Sequence, residues 1–163
     1  MKWSIGLIGA CLLLIASTGG HAQTPPADQV PPPPVYRPGL GDLMTMAVQP
    51  RHTKLGLAGQ AQNWPYATYE LRELQEAFDR VVRISPRWRN FAVAETMQSV
   101  TSEPMTALAA AIKGGDAAGF TAAYKELTET CNLCHRSAGQ GVIVIQLPTG
   151  SPFPDQDFRP VPR

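Results

Sequence analysis

The chain has 163 residues, with 14 Lys and Arg against 13 Asp and Glu, so its formal net charge is +1. Such a near-neutral balance, without a basic stripe, argues against nucleic acid as a partner. The length is enough for one domain with a sizeable core.

The first 22 residues have the pattern of a secretory signal peptide. Lys2 is followed by an apolar run from Ile5 to Ala16, and Gly20-His21-Ala22 forms a small-x-Ala cleavage site. The run is too short to span a bilayer stably. We therefore predict cleavage after residue 22 and export to the periplasm, with no integral membrane segment in the mature chain.

Cys11 offers a different interpretation of this segment. Within Ile8-Gly9-Ala10-Cys11 it would be the acylated cysteine of a lipoprotein box. The apolar run continues well past Cys11, whereas little of it lies before the cysteine. Cleavage at the later site is therefore preferred, and Cys11 is removed with the signal peptide.

Two proline-rich segments flank a central domain. Residues 23–39 form a leader that favours an extended polyproline II spacer. Residues 146–163 form a tail whose prolines exclude a helix. The domain between them covers residues 40–145.

Helical periodicity dominates this domain, and no strand-like alternation accompanies it. The first helix lies within residues 40–63 and is interrupted at Pro50. The second covers residues 65–85, with Pro86 just beyond its end.

The second half of the domain supplies two more helical segments. One covers residues 90–112 and is bent or interrupted at Pro104. The last begins after Asp116, which can act as its N-cap. Four helices with short connections predict an all-α fold, an antiparallel four-helix bundle whose interior can house a cofactor.

The last helix carries the motif Cys131-Asn132-Leu133-Cys134-His135 near its end. Two thiols and an imidazole in this pattern indicate covalent haem attachment, since the thiols add to the vinyl groups and the imidazole binds iron. A zinc site would have to add the distant His52, and a thiol redox pair would need a strand-to-helix junction. Both alternatives stay open but lack supporting residues.

The motif and the four helices together resemble the cytochrome c-prime group of periplasmic c-type cytochromes. The similarity covers residues 40–158 and includes LGDLMTMAVQPRHTKLGLAGQAQNWPYATYELREL. The resemblance implies one covalently bound haem c, with Cys131 and Cys134 as thioether ligands and His135 as the proximal iron ligand. Pro50 and the long segment after Gly141 depart from the family pattern.

The sixth iron ligand decides between two functions. His52 is the candidate histidine, and Met44 and Met46 are the alternatives, although methionines at helical spacing are more often packing residues. A strong sixth ligand gives an electron carrier, and an apolar distal face gives a five-coordinate haem that binds nitric oxide or another diatomic gas.

Two further features belong to the predicted pocket. Arg51, Lys54 and Arg136 are candidate partners for the haem propionates. The apolar stretch at residues 141–146 is too short for a helix and is expected to fold over a haem edge or a helix groove.

The sequence thus predicts a mono-haem c-type cytochrome that transfers single electrons between periplasmic redox proteins. We expect no enzymatic activity of its own, although a place as the redox subunit of an oxidase or dehydrogenase remains an alternative. A homodimer is compatible with the sequence, and the redox partners are not identified by it.

Overall fold

The computed structural model describes residues 35–162. The expected signal peptide, Cys11 and the leader up to residue 34 lie outside the described residues. Tyr36–Arg163 forms one compact unit. In the described part of the chain, none of the helices combines the length and the apolar character that crossing a membrane requires.

Four helices build this unit. Helix α1 is continuous through Leu40–Asp42, Leu43–Val48 and Gln49–Gln60, and it is followed by α2 (Trp64–Ile84), α3 (Val93–Gly114) and α4 (Ala117–Ser137). Within residues 35–162 the extended pairing is limited to an isolated bridge between Trp88 and Phe91. The predicted all-helical fold is confirmed.

The helices pack in cyclic order. Each helix packs against the next along the chain, and α1 also packs against α4. The short connections make successive helices antiparallel. The largest side chains of the core are completely buried and come from all four helices: Leu55, Leu74, Val81, Leu108, Phe120 and Leu127.

Pro50 does not interrupt α1, so that part of the prediction is wrong. The turn before it, Leu43–Val48, is a π-helix in which the amide of Gln49 donates to the carbonyl of Met44, five residues back. Proline has no N–H to donate, and its ring would collide with the carbonyl four residues earlier in a regular α-helix. The wider π turn relieves that collision and keeps the helix continuous.

Pro104 also lies inside one continuous helix, so of the two predicted effects, a bend or an interruption, the interruption is wrong. Its side chain is buried, and α3 runs through it to Gly114. Side-chain hydroxyls beside it bond to carbonyls one turn earlier: Thr101 to Met97 at 2.8 Å, and Ser102 to Gln98. Burial of the proline ring in the core offsets the lost backbone hydrogen bond.

The start of α4 follows the predicted capping pattern. The Oδ1 atom of Asp116 accepts hydrogen bonds from the amides of Ala118 and Gly119, at 3.1 and 2.9 Å. These bonds satisfy two amides that have no partner within the helix. Asp116 thereby fixes where the motif-bearing helix begins.

The tail has no helix, as predicted, but it packs on the bundle. Phe158 is buried and stacks on Tyr66 of α2, with ring centroids 5.5 Å apart. The Nδ2 atom of Asn63 donates to the carbonyls of Phe158 and Arg159, at 3.2 and 3.0 Å. The tail therefore belongs to the folded domain.

Two glycines allow close contact between α1 and α4. A Cβ atom on Gly56 would overlap the ring of Tyr124, and one on Gly59 would overlap the ring of Phe120. Both rings are buried and rigidly packed, so they have little room to move.

We expect Gly59→Ala to lower the free energy of unfolding by about 1–3 kcal/mol, because the added methyl group overpacks this contact. Gly114→Ala is the matched control, since a Cβ there meets nothing within 4 Å. That change should be neutral or stabilise by up to about 1 kcal/mol. Urea unfolding of the three proteins measures both effects, and equal stability of the two variants would contradict the close packing.

Candidate functional site

One end of the bundle holds a cavity of about 360 Å³. Its walls come from the first half of α1, Phe78 of α2, the connection between α2 and α3, the first turns of α3, the end of α4 and the chain just after α4. The walls are mainly apolar and include Val48, Phe78, Trp88, Phe91, Val93, Met97, Ile143 and Ile145. Its size and apolar lining are typical of a cofactor or ligand site.

The motif of α4 lies at this cavity. Cys131, Cys134 and His135 all line it, because residues three and four apart share one face of a helix. Both cysteines are free thiols. The structure therefore brings together the three residues that the sequence assigns to haem binding.

The thiols are poorly suited to redox exchange. Burial, with a smaller contribution from Cys134, raises the pKa of Cys131 to about 12, and burial also raises the pKa of Cys134. Reactive dithiols have lowered pKa values, usually at a helix N-terminus, whereas this pair lies at the C-terminal end of α4. The thioredoxin-like alternative also lacks its strand in the described residues.

The zinc alternative gains no support either. Within residues 35–162, no group of three or more His, Cys, Asp or Glu side chains is arranged to hold a metal ion. Cys131, Cys134 and His135 line a cavity rather than converge on one point. That arrangement fits a large planar group better than a bare ion.

His135 has a defined tautomer. Its Nδ1 atom lies 3.0 Å from the carbonyl oxygen of Ile143. A carbonyl oxygen can only accept, so Nδ1 must carry the proton. In the neutral ring Nε2 is then unprotonated and available to bind a metal.

His52 lies on the cavity wall, but both of its ring nitrogens have partners inside the protein. Nε2 is 3.0 Å from Thr128 Oγ1, and Nδ1 is 3.1 Å from the hydroxyl of Tyr124. The hydroxyl of Tyr124 also donates to the backbone carbonyl of His52 at 2.7 Å, and the hydroxyl of Thr128 donates to the carbonyl of Tyr124 at 2.8 Å. Binding iron through Nε2 would break its buried hydrogen bond with Thr128.

Burial keeps this histidine neutral. Desolvation lowers the pKa of His52 from 6.5 to about 4, and burial raises the pKa of its neighbour Tyr124. Thr128 is uncharged, so the cluster carries no charge at neutral pH.

This shift predicts a stability that falls on acidification. The unfolded chain binds a proton at His52 below about pH 6.5, whereas the folded chain resists until about pH 4. The free energy of unfolding therefore has its full value, as far as His52 is concerned, above pH 6.5. It falls by up to about 3 kcal/mol as the pH drops towards 4. Urea unfolding at several pH values should show this slope in the wild type and a smaller one in His52→Gln. Equal slopes would contradict it.

The two candidate methionines differ in position. Met44 lines the cavity and is partly buried, whereas Met46 is 74% exposed and does not line it. Residues two apart lie on opposite faces of a helix, so these two methionines cannot both face the cavity. Among the predicted distal ligands, the structure thus places Met44 and His52 at the site.

None of the predicted propionate partners lines the cavity. Arg51 forms ion pairs with Glu70 and Glu73 of α2, both at 3.3 Å. Lys54 lies over the ring of Phe153 in the tail, 4.6 Å from its centroid. In the described part of the chain, neither these two residues nor Arg136 lines the cavity.

Sequence analysis missed three contributors to the site. Tyr124 and Thr128 hold His52, and Asn132 binds the chain after α4. A polar pair four residues apart on an otherwise apolar helical face is a signal for the first two. Asn132 occupies a variable position of the motif, and no sequence signal marks it.

Comparison with known proteins gives no relative: no family model, no curated protein and no solved structure matches this chain.

Proposed function

We propose that the protein is a periplasmic mono-haem c-type cytochrome that carries single electrons. The observation that supports this most strongly is the cavity at the end of α4. Two free thiols and an imidazole with an unprotonated Nε2 line it in the order Cys131, Cys134, His135. These donors fit haem c, whereas within residues 35–162 no three His, Cys, Asp or Glu side chains are placed to hold a metal ion, and the raised pKa values of the two thiols do not fit a redox centre.

The residues have separate roles in this proposal. Cys131 and Cys134 would each hold the haem by a thioether, because the S–H group of a cysteine adds across a vinyl group without an oxidant. His135 would hold the iron through Nε2. A bound haem supplies an iron that changes its charge by one electron.

The chain's apolar walls keep water away from such a site. Much of the wall consists of side chains that do not donate hydrogen bonds to water: Phe78, Phe91 and Met97. Trp88 also lines the cavity, and its indole N–H is its one donor. Low polarity around an iron centre reduces the rearrangement that a change of charge requires. The cavity therefore suits electron transfer.

We assign the distal position to Met44. Its thioether lines the cavity, whereas both nitrogens of His52 are engaged with Thr128 and Tyr124. A thioether ligand raises the reduction potential relative to a second histidine.

A second function is supported by the same apolar walls. If Met44 packs against the wall without binding iron, the distal face is open to nitric oxide or another diatomic gas. The state of Met44 separates the two functions.

The direct test is extraction with acidified acetone after expression with export. Haem should remain on the polypeptide and stain with it in a denaturing gel. A chain that begins at Gln23 and stays in the cytoplasm should accumulate without haem, because the attachment machinery acts after export. Haem that extracts freely from the exported protein would overturn the proposal.

A further inference from the structure

The chain reverses direction directly after α4. Gly139 has a positive φ of 72°, which favours glycine. The amide of Gly139 donates to the carbonyl of Arg136 at 3.0 Å, and the amide of Gln140 donates to that of His135 at 2.7 Å. These two bonds form a Schellman motif, which turns the following residues back along the helix end.

Residues 141–146 form a return strip beside α4. Ile143, which is 49% exposed, and Ile145 line the cavity, whereas Val142 and Val144 do not line it and are 91% and 63% exposed. This alternation is that of an extended chain with one apolar face on the site. The strip thus covers part of the cavity wall, as expected from its sequence.

Asn132 holds the strip by two hydrogen bonds to one residue. The amide of Ile145 donates to Asn132 Oδ1 at 2.7 Å, and Asn132 Nδ2 donates to the carbonyl of Ile145 at 2.9 Å. Because the backbone N–H can only donate and the backbone carbonyl can only accept, the positions of Oδ1 and Nδ2 in Asn132 are determined. The side chain therefore binds the strip as a neighbouring strand would.

The strip in turn contacts the proximal histidine. Two residues before Ile145, the carbonyl of Ile143 accepts the hydrogen bond from Nδ1 of His135. The carbonyl of Ile143 keeps that position only while the return strip is held in place. The other backbone hydrogen bond of Ile143 runs from its amide to the carbonyl of Gln140, just before the strip. Asn132 and His135 thus act on the same short segment, from one face of α4.

We propose that Asn132 is a positioning residue for His135. By fixing the return strip, it keeps the Ile143 carbonyl on Nδ1, which sets the tautomer and orientation of the imidazole and increases its electron donation through Nε2. The proposal rests on haem binding as argued above. Asn132, a variable position of the motif, would thus influence the reduction potential of the haem iron.

The test compares Asn132→Ala and Asn132→Asp with the wild-type holoprotein. In both variants covalent haem should remain, and the midpoint potential should move to a more positive value, because a less strongly held imidazole donates less to the oxidised iron. Asn132→Asp keeps the acceptor for the amide of Ile145 but loses the donor. In a Met44→Ala background, whose reduced haem is expected to be five-coordinate, resonance Raman spectra should show a weaker bond between iron and histidine in the Asn132 variants.

Hydrogen exchange supplies a measurement that does not depend on haem. Loss of two hydrogen bonds should speed exchange of the Ile145 amide by about tenfold or more in Asn132→Ala. Leu133→Ala is the matched control, since this neighbour is 47% exposed and makes no side-chain hydrogen bond to the strip. It should leave both the potential and the exchange rate unchanged.

Two results would overturn the proposal. One is an unchanged potential in both Asn132 variants while haem remains attached. The other is an unchanged exchange rate at Ile145. A wild-type protein without covalent haem would instead refute the proposed function, and the exchange measurement would still decide whether Asn132 holds the strip.

Discussion

A chain that carries both Cys131→Ala and Cys134→Ala is expected to lose covalent haem completely. Both sulfurs line the same cavity, and in residues 35–162 they are the only thiols. Each single variant should retain one thioether and therefore a reduced amount of bound haem. Haem staining of the exported proteins after acid-acetone extraction measures the loss.

Cys11→Ala is the matched control for this series. Cys11 lies in the expected signal peptide, so its removal should leave haem attachment and the mature protein unchanged. Staining that survives the double substitution would contradict the assignment of the two thiols. A wild-type protein held at the membrane and released by Cys11→Ala would favour the lipoprotein alternative for the N-terminal segment.

The second large effect concerns the distal ligand. Replacing Met44 by Ala should convert a low-spin haem into a high-spin one that binds carbon monoxide rapidly, because the thioether at the cavity wall is removed. The midpoint potential should also fall. Optical spectra of both oxidation states, with and without carbon monoxide, measure these changes.

Met46→Ala is the control two residues away. Its side chain is exposed, so the spectrum should not change. His52→Gln should lower stability through the contacts with Tyr124 and Thr128 while the haem stays low-spin. A high-spin spectrum in His52→Gln but not in Met44→Ala would make the histidine the ligand. A wild-type haem that is already high-spin would favour gas binding.

Much of the fold could be predicted from the sequence because its signals are local. Apolar spacing marks α2, Asp116 marks the start of α4, and the motif itself fixes one helical face at residues 131, 134 and 135. Local signals of this kind depend on side chains within one or two turns. They were sufficient to place both cysteines and His135 at one cavity.

The prolines show where local signals fail. Pro50 and Pro104 each look like a helix end, yet the bundle keeps both helices continuous. In α1 a π turn absorbs the steric conflict, and in α3 the buried ring contributes to the core. Tertiary packing keeps both helices continuous, and the sequence of one helix does not reveal that packing.

The distal side was also beyond the reach of the sequence. The ring of His52 forms its hydrogen bonds with Tyr124 and Thr128, which lie 72 and 76 positions further along the chain. Met44 and Met46 lie on opposite faces of α1, as residues two apart on a helix do, but the sequence does not show which of them faces the cavity. The bond between Asn132 and Ile145 depends on a chain reversal at Gly139, so it too appears only in three dimensions.

Mass spectrometry of the exported protein shows whether Cys131 and Cys134 hold haem covalently. We expect the mass of the chain from Gln23 plus one haem, and a digest in which the haem lies on the peptide containing both cysteines. Neither sulfur should then react with an alkylating agent after unfolding. The mass of the polypeptide alone, with both thiols open to alkylation, would refute covalent haem attachment.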